Sequence, residues 1–243
     1  MMIFKLKYLV GVAGVFLSMQ ACAQKWFPGH FTDIKGNKDN GFIRMNPPGR
    51  PPVRDEAFIE FKEDDKSEPF KLSTSDIQSF VIGRDSFVVA HAPGNSSWGN
   101  REFDFVRVAL DEQVKLYAAR GGSGGGGGSG FSFEPGISTG FGTGGYGSGF
   151  GAGVGAGVNI PIGGRGRGGY GQTGKVVFYY GANTAEMQPL TNENFVDVMS
   201  DIMGDEPDVV EAIKNHRYGL GNMDKLIAYF NKVKEANSLK QKD

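Results

Sequence analysis

The chain has 243 residues, enough for one or two domains, with 39% hydrophobic and 22% charged residues and a formal charge of −1. Cys22 is the single cysteine, which excludes a disulfide scaffold, and the near-zero charge argues against a global electrostatic footprint for nucleic acid. Of 39 glycines, 26 lie between positions 121 and 174 with no Gly-X-Y period, which excludes collagen and leaves an ordinary chain interrupted by a glycine-rich block.

The N-terminus reads as an export signal. Lys5 and Lys7 form a short basic region, and residues 9–19 are apolar and uncharged. Ala21-Cys22-Ala23 then offers the small-x-small pattern of a signal peptidase, with cleavage before Gln24. The apolar run is too short to cross a bilayer core. Ala21-Cys22 also suits a bacterial lipoprotein signal, although Met19 and Gln20 depart from its usual residues. Soluble cleavage and lipidation of Cys22 both remain open. Removal of Lys5 and Lys7 takes the formal charge from −1 to −3, which argues against strong attraction to an anionic membrane. The expected location is exported: periplasmic, outer-membrane associated or secreted.

Residues 24–120 read as a β-module. Strands are predicted at 31–34, 41–45, 57–62, 70–72, 80–82, 86–91, 102–111 and 113–119, several with period-2 alternation. Phe103, Phe105, Arg107 and Ala109 are expected on one face, and Asp104, Val106, Val108 and Leu110 on the other. Gly36-Asn37, Asn40-Gly41 and Pro93-Gly94-Asn95 mark turns. Residues 73–76 read as a cap before one helical turn reaching Ile77. Short strands with tight turns predict an antiparallel sheet or small barrel. Residues 175–190 resume the β-pattern, with 182–190 expected to pair with the Val176–Tyr180 run.

From position 191 the period changes. Phe195, Val198, Met199 and Ile202 make one helix face, with Thr191 or Asn192 as cap and Gly204 as stop. Pro207 suits the first turn of a second helix, which carries Val209, Ala212 and Ile213 and ends at Gly219. Asn222 can cap a third helix carrying Met223, Leu226, Ile227, Phe230 and Val233, expected to fray from Lys234. The fold class is therefore α+β: residues 1–23 a signal, 24–120 and 175–190 a β-module, 121–174 a disordered glycine-rich insertion, and 191–243 a three-helix tail.

Gly41-Phe42-Ile43, Phe58-Ile59-Glu60-Phe61 and the Leu72–Phe80 segment occur in this chain in that order. Phe105-Val106-Arg107-Val108, Leu116-Tyr117, Asn194-Phe195, Asp205-Glu206-Pro207 and Tyr229-Phe230-Asn231 follow. This succession resembles a loosely defined set of uncharacterised exported proteins of Bacteroidota-type bacteria, over most of the chain except the glycine block. The resemblance implies an exported protein in which a β-rich region leads into a small helical tail. It implies no activity and no catalytic residues.

Catalytic and cofactor patterns are weak. Residues 169–175 have the spacing of a phosphate loop, but Val176 follows and opens a strand where a helix is needed. Gly164, Gly166 and Gly169 match a dinucleotide fingerprint without its strand–helix context, and Gly121–Gly125 match a nucleophile elbow with no helix to follow. His30, His91 and His216 are scattered. The acidic residues Glu60, Glu63, Asp64, Asp65 and Glu68 match no calcium loop and read as a solvated hairpin turn. Residues 33–41 fail as a calcium loop at Lys35 and read as another hairpin. Arg165-Gly166-Arg167 makes only a weak arginine–glycine box for RNA. No cofactor, no metal and no nucleic acid are expected.

The glycine block carries the sharper pattern. From 149 to 160 glycine alternates with Phe150, Ala152, Val154, Ala156, Val158 and Ile160. In a strand this puts bare backbone on one face and apolar groups on the other. Phe141, Tyr146, Phe150, Val154, Val158 and Tyr170 are the candidate interaction residues, serving an envelope protein, self-association or weak membrane contact. The expected role is non-enzymatic: structural, adhesive or scaffolding work at the cell envelope. A carbohydrate- or peptide-binding module using Trp26 or Trp98 is the alternative, and a hydrolase using His91 or the acidic cluster is a further one.

Overall fold

The computed structural model describes residues 26–94, 97, 98, 101–120 and 176–240. The strands are β1 (Phe27–Asp33), β2 (Lys38–Met45), β3 (Phe58–Lys62), β4 (Phe70–Ser73), β5 (Ile77–Ile82), β6 (Asp85–His91), β7 (Phe103–Leu110), β8 (Lys115–Arg120), β9 (Val176–Gly181) and β10 (Gln188–Pro189). The helices are α1 (Phe195–Ile202), α2 (Pro207–Lys214) and α3 (Met223–Lys240). The strands form one antiparallel sheet in the order β10-β9-β8-β7-β6-β5-β1-β2-β3-β4. Of the two predicted alternatives, this is the sheet: it ends at β4 and β10, and no ladder closes it into a barrel.

The sheet nevertheless coils. Residues 74–76 alone connect β4 to β5, although three strands lie between them. In a flat sheet the gap would be about 19 Å, four spacings of ~4.8 Å. The four Cα steps from Ser73 to Ile77 reach only about 14 Å. The β1–β4 half must therefore curl over the face of β5–β7. A bracket at Glu56 holds it there. Glu56 bridges Phe103 at the start of β7, Ala57 N–H donates to the Phe103 carbonyl (3.2 Å), and Thr74 N–H donates to the Ala57 carbonyl (3.0 Å). The Glu56 carboxylate accepts from Thr74 Oγ1 (3.1 Å) and Ser75 N–H (2.9 Å). Residues 73–76 are thus a tight turn and not the predicted helical turn: Asp76 N–H donates back to the Ser73 carbonyl (3.0 Å), and Ile77 opens a strand.

Two facing glycines permit the curl. Gly29 and Gly41 are register partners on β1 and β2. A Cβ on Gly29 would sit 2.1 Å from the Val81 carbonyl oxygen, and one on Gly41 2.3 Å from that of Lys62. Bare Cα atoms are needed where strands approach this closely.

One register row crosses the sheet: Phe31, Phe80, Phe87, Arg107, Ala118 and Phe178. Opposed residues share a face, so all six project to the same side. Phe31, Phe80 and Phe87 belong to a core enclosed by the curl, with Ile43, Ile59, Phe61 and Ile82. Ala118 and Phe178 belong to a second core, covered by the helices through Phe195, Met199, Ile213, Leu226 and Phe230. Arg107 sits between the two. It is 3% exposed and ion-paired to Asp85 at 3.3 Å. A third cluster occupies the opposite face, with Ala90, Trp98, Val106, Tyr117, Ala119 and Met187.

Several local expectations are corrected. A bulge between Val108 and Leu110 returns Leu110 to the Arg107 face, opposite Leu116, so the predicted alternation fails at the end of β7. Residues 182–190 pair with β9 only at their end, where Gln188 and Pro189 oppose Tyr180 and Tyr179 and Leu190 N–H donates to the Phe178 carbonyl (2.9 Å). Residues 184–186 form a 3₁₀ turn, because the Asn183 side chain caps Ala185 N–H and Glu186 N–H. α2 ends at Lys214 rather than at Gly219, and His216 turns the chain with φ +56°. α3 does not fray at Lys234: it runs to Lys240, tied by Lys234 to Glu112 (2.5 Å) and by Asn237 to the buried Glu206 (2.6 Å).

Gly41→Ala is expected to lower stability by about 1–3 kcal/mol, because the backbone of β3 must move to admit the methyl group. Gly221→Ala, where nothing lies within 4 Å of an added Cβ, is the near-neutral control. Urea midpoints of the two variants check this.

Candidate functional site

The residues proposed from sequence for interaction (Phe141, Tyr146, Phe150, Val154, Val158 and Tyr170), and Cys22 for lipidation, lie outside the described residues. The place where the block attaches is defined. β8 and β9 pair in register from Lys115↔Gly181 to Arg120↔Val176. Residues 121–175 therefore leave and return at one register pair, as the loop of a β-hairpin. Val176 opens β9, so position 175 precedes a strand and not the helix that a phosphate loop requires.

The corner between β6 and β7 lies at the same end. Trp98 and Arg101 exchange backbone hydrogen bonds (3.0 and 3.2 Å). The Trp98 indole N–H donates to the Ala90 carbonyl (2.9 Å), and its ring meets that of Tyr179 on β9 edge to face at 5.7 Å. Trp98 is 8% exposed, so it is a core anchor and not the open stacking surface weighed from sequence. Through Tyr179 it braces the strand that receives the end of the block.

Asp104 lies under this corner, on the face of its cross-strand partner Ala90. Its carboxylate accepts from Arg101 Nη1 (3.2 Å) and from Phe105 N–H (2.7 Å). Burial nevertheless outweighs these partners and pushes the carboxyl up to about 6. Asp85 is also raised by burial, against the pull of Arg107, whose guanidinium burial pushes down. Sequence reasoning did not single out Asp104 or Asp85, because nothing local marks a carboxylate that only another segment covers. Arg107 did carry a signal: a charge at the same strand parity as Phe103 and Phe105.

The remaining candidates are dispersed. His91 Nε2 lies 4.0 Å from Glu102 Oε1, but both side chains are about half exposed or more, on open surface. His30 is on β1, where burial and then Lys38 lower its pKa, and His216 follows α2. Asp33 accepts Lys35 N–H and Asn37 N–H (both 2.8 Å), forming the tip of the β1–β2 hairpin. Asp64 does the same for Lys66 and Ser67 between β3 and β4, whereas Glu60 is buried on β3 against Arg44. Among the described residues, no group of three or more His, Cys, Asp or Glu side chains is placed to hold a metal ion, and no helix is long and apolar enough to cross a membrane. Trp26 is half-buried, with Arg44 4.9 Å and Lys62 5.1 Å from its ring centre. Compared with protein families, curated proteins and solved structures, the chain matches none of them.

Asp104 sets a pH dependence. Its folded pKa lies above the unfolded value, so its contribution is fully present below about pH 4 and is lost as pH rises through about 6. A shift of about two units corresponds to roughly 3 kcal/mol at most. Stability is expected to rise as pH falls from 7.5 to 5, and Asp104→Asn is expected to flatten that rise. Urea midpoints of both proteins at three pH values across this window check it.

Proposed function

We propose that this is an exported cell-envelope protein with a non-enzymatic structural, adhesive or scaffolding role, whose folded body presents the glycine-rich block as its interaction element. The observation that carries this reading is the register pair Arg120↔Val176. Fifty-five residues, 121–175, lie between two residues that are register partners in the β8–β9 ladder. Nothing in the β8–β9 ladder calls for a long connection, since antiparallel neighbours can be joined by two residues. The body is self-sufficient in this reading: a coiled sheet with a three-helix tail covering one end.

The sheet edges support the same assignment of labour. β4 is four residues long and carries Lys71, and β10 is two residues long and ends in Pro189. Short edges with lysine or proline resist pairing with other chains. Association through the body's own edges is disfavoured, which leaves the period-2 stretch 149–160 as the segment patterned for β-type contact. Export rests on residues 1–23, and Cys22 or Gln24 begins the mature chain.

Replacing residues 121–175 by Asn-Gly tests the carrier reading. Shortening a connection of this length lowers the entropic cost of closing it, so the body is expected to gain about 2–3 kcal/mol. A loss of stability would instead make the block part of the folded body. Val154→Asp with Val158→Asp, compared with the native chain by cross-linking in isolated envelopes, tests the interaction itself. The double variant is expected to lose its cross-linked products, and an unchanged pattern would end the interaction reading.

A further inference from the structure

The outer face of β2–β4 was absorbed by none of the roles above. Arg44, Glu60 and Lys71 are successive register partners across β2, β3 and β4, on the side away from Ile43 and Ile59. Trp26 continues that row from the β1 side, with the Arg44 guanidinium over its ring. Lys62 lies over both Trp26 and Phe42 (5.1 and 5.4 Å), and Lys71 lies 5.0 Å from the Phe58 ring centre. Lys71 also donates to the Arg50 carbonyl (2.9 Å), which ties the 46–54 loop to this face. That loop contributes exposed Arg50 and Arg54 and exposed Val53, with no acidic residue. The result is three aromatic rings interleaved with cations. Three acids meet it and each neutralises one cation, Glu60 with Arg44, Asp65 with Lys62 and Asp55 with Arg54, so Arg50 and Lys71 carry its net positive charge. Glu63, Asp64 and Glu68 follow Lys62 in the β3–β4 connection, beyond the end of β3.

We infer that this face, comprising Trp26, Phe42, Phe58, Arg50 and Lys71, docks on an anionic phospholipid surface. Two features favour a bilayer over other polyanions. Aromatic rings with basic side chains are the residue types that settle at the headgroup level. The position of the chain end is the second. Cys22 precedes Trp26 by four residues, a reach of at most about 14 Å. In this respect the inference rests on the proposed export: a lipid on Cys22 would keep Trp26 and the face around it close to the headgroups. Near an anionic surface each cation contributes about 1 kcal/mol, which is lost beyond a Debye length or in high salt. A multiply acylated cysteine would hold the chain firmly by itself, and the face would then orient the body on the surface.

The test separates the face from the anchor. The chain from Gln24 onward, which carries no lipid, is mixed with phosphatidylcholine vesicles with and without phosphatidylglycerol, and its sedimentation and tryptophan emission are followed. Salt-sensitive binding to the phosphatidylglycerol vesicles is expected, with a blue shift from Trp26 over the constant emission of buried Trp98. Arg50→Glu with Lys71→Glu is expected to weaken partitioning at least about tenfold. Lys214→Glu with Arg217→Glu, an equal change of charge on and after α2, is expected to leave it nearly unchanged. Equal binding to both vesicle types, or equal effects of the two double variants, would overturn the proposal. Displacement by single-stranded DNA at concentrations that match the lipid phosphate would also overturn it, in favour of a general polyanion site. Cys22→Ser, read by membrane fractionation in cells, reports on the anchor alone. If it releases the protein while the vesicle result is negative, the anchor stands and the face does not.

Discussion

The architecture depends on the brevity of one connection. Residues 74–76 span a gap that a flat sheet would make too wide, so the β1–β4 half has to fold over β5–β7. The curl in turn creates an enclosed core, in which the Phe31, Phe61 and Phe80 rings meet neighbours at ring-centre distances of 4.7–5.0 Å. Glu56 fixes the fold-over by joining the β4–β5 turn to the first residue of β7. Gly29 and Gly41 supply the backbone clearance without which the strands could not approach. Each of these residues is ordinary by itself. Their effect comes from standing at the same bend.

A single sheet then serves two cores. Its concave side is apolar from Phe31 to Phe178 except at Arg107, where the curled half ends and the helical cover begins. A buried guanidinium is costly unless paired, and Asp85 supplies the pair from the first residue of β6. The bulge before Leu110 has a related consequence. By turning Leu110 to the helical side it extends the second core by one large residue exactly where the cover starts to need it, next to Leu116. The opposite face is closed differently, by the Trp98 corner and by the 182–187 connection that brings Met187 onto the sheet. These layers leave the sheet body with short, blunted edges and with both faces occupied over β6–β9.

The consequences for function follow from where chain segments enter and leave this body. The glycine-rich block departs and returns at one register pair beside the Trp98 brace. The N-terminal region joins at Trp26, on the basic and aromatic outer face of β2–β4. The proposed roles divide accordingly: one attachment for an envelope partner, one for the membrane surface, and a rigid sheet between them. Asp104 lies under the first of these, in a setting where burial rather than chemistry with a substrate accounts for its raised pKa.

The sequence by itself determined the strand-rich body, the change to helical period after position 191 and the position of the glycine block, because side-chain periodicity and glycine content are local properties. β1 and β5 were legible only in their second halves, since Pro28 and Gly29 in one and the polar Gln78 and Ser79 in the other hide the alternation. Only the tertiary structure decided that residues 73–76 are a turn, that Leu110 changes face, that Trp98 is an anchor and that α3 continues to Lys240. Each of these depends on a partner far away in the chain: Glu56 for the turn, Leu116 for the bulge, Ala90 and Tyr179 for the tryptophan, Glu112 and Glu206 for the helix end. The same holds for the charged sites. Asp104 and Arg107 read as strand residues in sequence, and their burial comes from layers contributed by other segments, which no local pattern records.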